Sequence, residues 1–277
     1  MTAEKDAATD FRSNPQVSTL AYFGTELRIR REEAGLSQAT LAQCLFCTHS
    51  LVSRIESAQR VPTEEFARRC DEVLGTGGAF RRLWPVVLQH AYPDWFRPFV
   101  ELEKDAREIW NFENQVVPGL LQTEEYARAL FAAARLPNTD ELVAARMTRQ
   151  HILERDDRAR LWVVLDENVL RRAVGGSELM ARQLSVIVGA AEDPRTIVQV
   201  VPYGVGAHAS MDGPFVGLRM DEGADVVCTE GRVRGLVLAA SNEVAEYRDA
   251  YDLLRADALS PRASLDAIAA RAKELSS

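Results

Sequence analysis

The chain has 277 residues, 47% hydrophobic and 27% charged, the balance of an ordinary globular protein, which excludes collagenous, low-complexity and disulfide-scaffold architectures. Its formal net charge of −8 argues against a molecule that is basic throughout and holds nucleic acid by bulk attraction. Through Trp84, however, 11 Lys and Arg balance 11 Asp and Glu, so the whole excess of acid lies downstream.

Residues 1–17 read as a disordered arm, and its polar start, MTAEKDAATDFRSNP, does not have the basic-then-apolar pattern of a secretory signal. From Leu20 the apolar period becomes helical, with Leu20, Phe23, Leu27 and Ala34 on one face, and Gly35 stops the run. Ser37 is placed to cap a second helix striped by Leu41, Ala42 and Leu45. A third runs from about Thr48 to Ser57, turning Val52 and Ile55 inward and leaving His49, Ser50, Ser53 and Arg54 outside. Pro62 and Thr63 open a fourth, where Glu64 and Glu65 suit the positive end of the helix dipole and Phe66, Cys70, Val73 and Leu74 form the buried side. These short helices make an all-α bundle over 18–76. GTGG and the proline-broken RRLWPVVLQHAYPDWF then predict a connector over 77–92.

The remainder, 93–277, alternates helices with strands and then clusters strands, predicting an α/β or α+β domain around a mixed sheet. Phe99, Leu102, Ala106 and Ile109 share a helical face, an extended piece ends at VVPG, and Thr123 and Thr139 each open a helix. LWVVL and IVQVV read as strands around a helix from about Ser177 to Ala191. GPFVGLRM, ADVVCTE and RGLVLA are three more short strands, before a final helix over about Glu243 to Ala256. The longest stretch with a single charge, Thr196 to Leu218, holds two prolines and four glycines, so it is not the run of about 20 apolar residues that a membrane span needs. Four cysteines in such a chain suggest reduced thiols. Cys44 and Cys47 form a C-x-x-C without the second pair that a metal site would need, so no metal is expected.

The informative segment is GLSQATLAQCLFCTHSLVSRIESAQRVP, Gly35 to Pro62. Its S-Q-x-x-L-A, then T/S-x-x-x-V-S-R-I-E, then proline, resembles the helix-turn-helix of XRE-type, phage-repressor-like regulators. In such a motif two short helices cross steeply around a small residue, here Ala42, so that the second protrudes and fits the DNA major groove. The resemblance implies that Gln38 contacts a phosphate and that Thr48, His49, Ser50, Ser53 and Arg54 face the groove. Arg54 is the foremost base reader, because a guanidinium binds guanine O6 and N7 as a fork. Arg60 and Arg28 are candidates for further phosphate contacts. The resemblance also pairs Arg31 with Glu56 in a structural role. Phe46 and Ala58 stand where the family usually has glycine, which predicts a longer or reshaped turn.

A second resemblance covers Pro93 to about Leu259, carried by PDWF, FENQVVPGLLQTEEYARAL, RMTRQHILER, LWVVLDENVLRR and GPF. It is to the antitoxin-like C-terminal domain that follows this helix-turn-helix in many actinobacterial regulators. It implies a regulator encoded beside a small protein that is its partner. The corner Leu120, Leu121 and Gln122, with Trp95, Phe96, Arg146 and Arg149, is either a packed turn or a groove for a partner or ligand.

No catalytic residue or cofactor is expected. GVGAHA follows a strand but leads into turn and strand, without the helix N-terminus that would hold a pyrophosphate. His208, Ser210 and Asp212 are too close in sequence for a usual triad. The expectation is therefore a cytoplasmic homodimeric regulator that binds an operator in double-stranded DNA and a small protein partner. The alternative is a one-component regulator whose second domain senses a small molecule.

Overall fold

The computed structural model describes residues 19–91, 96–136, 138–231 and 235–276, the side chains of 88–91 excepted. The arm expected over 1–17 and Trp95 lie outside the described residues. In chain order the helices and strands begin with α1 (Thr19–Glu33), α2 (Gln38–Cys44), α3 (His49–Glu56), α4 (Glu64–Leu74) and α5 (Ala79–Ala91). There follow α6 (Arg97–Glu103), β1 (Ala106–Glu113), α7 (Glu124–Ala133), α8 (Thr139–Arg149), β2 (Arg160–Asp166) and the short α9 (Glu167–Arg171). The chain continues through α10 (Ser177–Ala190), β3 (Thr196–Val201), β4 (Phe215–Met220), β5 (Val226–Thr229), β6 (Leu236–Leu238), α11 (Ser241–Asp257) and α12 (Pro261–Leu275). It divides into two compact units, Met1–Pro93 with Arg135–Thr148, and Asp94–Ala134 with Arg149–Ser277.

The first unit is a helical bundle started by side-chain caps. Ser37, Thr48 and Thr63 each accept the backbone N–H three residues on, at 3.0, 3.2 and 3.1 Å. These bonds satisfy amide donors that a helix start otherwise leaves orphaned. Leu20, Phe23, Leu27, Leu41, Ala42, Leu45, Val52, Ile55, Phe66 and Cys70 meet in one core. The stretch expected as a connector is instead the helix α5, which adds Phe80 and Val87 to that core. Pro85 inside it forfeits one backbone hydrogen bond, but two buried residues seven apart on one face outweigh that local preference.

The α8 helix, read from sequence as part of the second domain, joins this bundle through Ala144 and Ala145. The Thr148 hydroxyl accepts the Val61 N–H at 3.1 Å and lies 3.1 Å from the Val61 carbonyl, bracing the segment that follows α3. Nothing local signals this partnership, since two alanines fit against any neighbour.

The second unit is built on a six-stranded mixed sheet of order β3-β2-β1-β4-β5-β6. β1, β2 and β3 run parallel and the others pair antiparallel. Ala106 and Ile109, expected on a helix, lie in β1, where nearly every side chain is buried. A strand covered on both faces loses the two-residue alternation that would reveal it. Trp110, Phe112, Val164, Phe215, Tyr251 and Leu254 form the core of one sheet face. The helix α12 was not anticipated, although Ser260 caps it and Pro261 opens it, the usual marks of a helix start. No helix among the described residues is long and apolar enough to cross a membrane.

Candidate nucleic-acid interface

The α3 helix is two-sided. Val52 and Ile55 are fully buried, while His49, Ser50 and Arg54 are exposed and Ser53 is half-buried. Thr48 is exposed too, but its hydroxyl oxygen is engaged as the cap of α3. Arg60 is half-buried just beyond the helix. The candidate readers therefore share one face of one short helix, and Gln38 stands at the start of the helix before it.

The arginines of this unit are not equivalent. Arg28 pairs with Glu32, Arg30 with Glu26 and Glu33, Arg68 with Glu65 and Glu72, and Arg69 with Glu65. Arg54 is exposed, and among the described residues no carboxylate pairs with it. A guanidinium left unspent on the outer face of α3 is what direct readout of a base edge requires.

Buried polar chemistry holds α3 in place. Arg31 Nε donates to Glu56 Oε1 at 2.6 Å and Nη2 to Oε2 at 3.0 Å, with side chains only 9% and 4% exposed. Arg31 also donates to the Leu36 carbonyl at 2.9 Å. The Glu56 hydrogen bond, working against desolvation, raises the Arg31 pKa further above its ordinary value. Gln38 Nε2 donates to Glu56 Oε2 at 2.7 Å, so the side chain expected at a phosphate is in this state tied to the same carboxylate. The structural pair implied by the resemblance thus ties α1 to the last residue of α3.

Gly24 was missed in the sequence and matters to the same joint. A Cβ there would lie 2.4 Å from the Ile55 carbonyl oxygen and 2.8 Å from that of Glu56. Only glycine lets α1 approach the end of α3 so closely. An isolated glycine inside a helical pattern was the available signal.

The two positions usually held by glycine keep the glycine conformation. Phe46 has φ 55° and Ala58 has φ 58°. The Cys47 N–H reaches the Ala42 carbonyl at 2.9 Å and the Gln59 N–H the Arg54 carbonyl at 2.7 Å. Both bonds close a standard left-handed helix end, so the turn is neither lengthened nor reshaped as expected. The cost falls on the side chains, and Phe46 is 85% exposed. Phe46→Gly should therefore stabilise the bundle by about 1 kcal/mol, read as a higher melting temperature. An unchanged or lower value would show that the Arg69 guanidinium over the ring, 5.6 Å from its centroid, matters more than the strain.

The C-terminal corner is packed. Leu120 and Leu121 are buried in a 3-10 turn, and buried Gln122 donates to the Val117 carbonyl at 2.7 Å. Gln183 takes the Thr123 N–H and donates to the Leu121 carbonyl, both at 2.7 Å. Arg149 is buried in a two-bond pair with Glu103, at 2.5 and 2.7 Å, and lies over the Phe96 ring. Arg146 is half-buried and belongs to the first unit. The conspicuous string PGLLQTEEYA thus encodes a hydrogen-bonded turn in which Leu120, Leu121 and Gln122 are buried.

His208, Ser210 and Asp212 are not joined in the order of a catalytic triad: the Ser210 hydroxyl lies 3.3 Å from Asp212 Oδ1 and donates to the Gly213 carbonyl at 2.8 Å. His208 Nε2 faces Asp166 Oδ2 at 3.1 Å, and its Nδ1 takes the Ser210 backbone N–H at 3.2 Å, so neither ring nitrogen is turned to the serine hydroxyl. Burial pushes the Cys228 thiol up to about 12 and the Cys70 thiol higher, leaving neither as a thiolate near neutral pH. Among the described residues no group of three His, Cys, Asp or Glu is placed to hold a metal.

Two family models match the chain. One is described as a helix-turn-helix domain and covers residues 23–84, the bundle built on α1 to α4. The other is described as a domain of unknown function, DUF5753, and covers residues 96–270, more than half of the chain. Neither a curated protein nor a solved structure matches.

Proposed function

The chain belongs to the DUF5753 family and carries a DNA-binding helix-turn-helix at its head, and from that premise we propose that it is a transcription regulator whose α3 reads a specific operator in the major groove. The observation that carries this reading is the outer face of α3, where Arg54 stands exposed and unspent beside His49, Ser50 and Ser53. Arg54 takes a guanine edge, and His49, Ser50 and Ser53 add contacts to neighbouring bases. Thr48, Gln38 and Arg60 approach phosphates. Gln38 can do so by exchanging its bond to Glu56, which keeps both bonds from Arg31.

The regulator is of the XRE type, works in the cytoplasm and acts as a homodimer on half-sites about one helical turn, roughly 34–36 Å, apart. Its second unit is antitoxin-like and binds a small protein encoded by a neighbouring gene. Support for that partner comes from the likeness of PDWF, PGLLQTEEYARAL and LWVVLDENVLRR to the domain that usually accompanies such a gene. The acid excess downstream of Trp84 suits a basic partner. No catalytic step belongs to this reading.

Because the head itself is electrically balanced, affinity rests on a few placed phosphate contacts. Binding of the full chain to a duplex, followed by fluorescence anisotropy, should weaken about tenfold or more between roughly 50 and 200 mM salt. Affinity that stays flat over that range would remove phosphate contacts as its basis.

A further inference from the structure

One face of the central sheet gathers more positive charge than its packing needs. The Glu108 side chain on β1 is only 7% exposed, and three arginines from three different elements converge on it. Arg160 of β2 donates to Oε2 at 2.6 Å and satisfies it. Arg219 of β4 stands 3.9 Å from the same oxygen, and Arg248 of α11 stands 3.8 Å from Oε1. Both of these lie beyond hydrogen-bond reach, and among the described residues neither guanidinium has a hydrogen-bond acceptor. One carboxylate thus faces three cations. Asp252 does not relieve the surplus, since it is paired with Arg255 at 3.0 Å.

The floor beneath them is rigid. Arg248 lies over the Trp110 ring at 5.2 Å, and Arg160 over Trp162 at 5.7 Å. Trp110 is held against the backbone of Gly217, where even a methyl group would not fit. The Arg248 guanidinium is therefore placed by a buried indole, which solvated surface arginines are not.

We propose that Arg219 and Arg248 form a binding site for an oxyanion, the phosphate or carboxylate group of a small molecule, with the Glu108 carboxylate between them drawing both guanidiniums to one place. Two guanidiniums with open donors accept such a group through paired charge-assisted hydrogen bonds. The acidity of the rest of this part of the chain disfavours unspecific anion attraction, so a local positive surplus is selective. This site is independent of the DNA-reading face, and its failure would leave that reading intact.

The test is calorimetric titration of the full chain in chloride buffer at constant ionic strength, with inorganic phosphate in one arm and succinate in the other. Saturable one-site binding of at least one anion is expected, and which arm binds identifies the chemistry of the group. Arg219→Gln, half-exposed and not packed on a tryptophan, should weaken it at least tenfold while leaving the unfolding curve of the unliganded protein unchanged. Arg54→Gln should leave anion binding unaltered. Absence of saturable binding in both arms, binding that survives Arg219→Gln, or binding lost in Arg54→Gln would each overturn the proposal.

Discussion

Glu56→Ala should destabilise the DNA-reading head by about 3–5 kcal/mol, because it leaves the Arg31 guanidinium buried with its main counter-charge removed. The loss comes at one joint. Glu56 is the last residue of α3, and its carboxylate takes two bonds from Arg31 and one from Gln38. Thermal unfolding monitored by circular dichroism should show the head melting earlier, and duplex binding should fall with it. Arg31→Met with Glu56→Leu should recover much of the stability, since a matched apolar pair replaces a buried ion pair at little cost. If Glu56→Ala melts as the wild type does, the pair is not what fixes α3.

Gly217→Ala should cost about 3 kcal/mol, the upper end for overpacking a close-packed core, by a different route and in the other unit. A Cβ at 217 would sit 1.9 Å from Trp110 Cε2 and 2.0 Å from Cζ2, and a fused ring cannot bend away. Trp110 is itself wedged among Phe215 and Tyr251, so making room means expelling a buried indole. The expected signature is loss of near-ultraviolet tryptophan ellipticity and a lower melting temperature for the second unit. A variant that keeps both would show that the sheet yields where the structure has it rigid.

Much of the head was legible because its signals are local. Ser37, Thr48 and Thr63 are cap residues followed directly by apolar stripes, and each caps a helix. The pairing of Arg31 with Glu56 came from the helix-turn-helix resemblance rather than from spacing alone, and the geometry agrees. What escaped depends on distant neighbours. The α5 helix is hidden by a proline whose local penalty is offset by burial of Phe80 and Val87. The α8 helix joins the bundle through two alanines that carry no address. Ala106 and Ile109 mimic a helical face because β1 is buried on both sides. The corner Leu120, Leu121 and Gln122 reads from sequence as either a packed turn or a groove, because the bonds from Gln122 to the Val117 carbonyl and from the Thr123 N–H to Gln183 depend on the fold rather than on the string.

The same contrast separates the arginines. Composition makes them equal, and only coordinates show that Arg28, Arg30, Arg68 and Arg69 are engaged by neighbouring glutamates while Arg54 is not. Specific recognition by α3 is therefore best probed at that residue. The most direct measurement is selection of bound duplexes from a randomised double-stranded library by the full chain, with Arg54→Ala in parallel. The wild type should enrich a single motif containing a guanine, and the variant should lose preference at that base at a discrimination cost of about 1–3 kcal/mol while still binding duplex nonspecifically. An unenriched wild-type pool, or an identical motif from both proteins, would contradict the assignment of α3 as the reader.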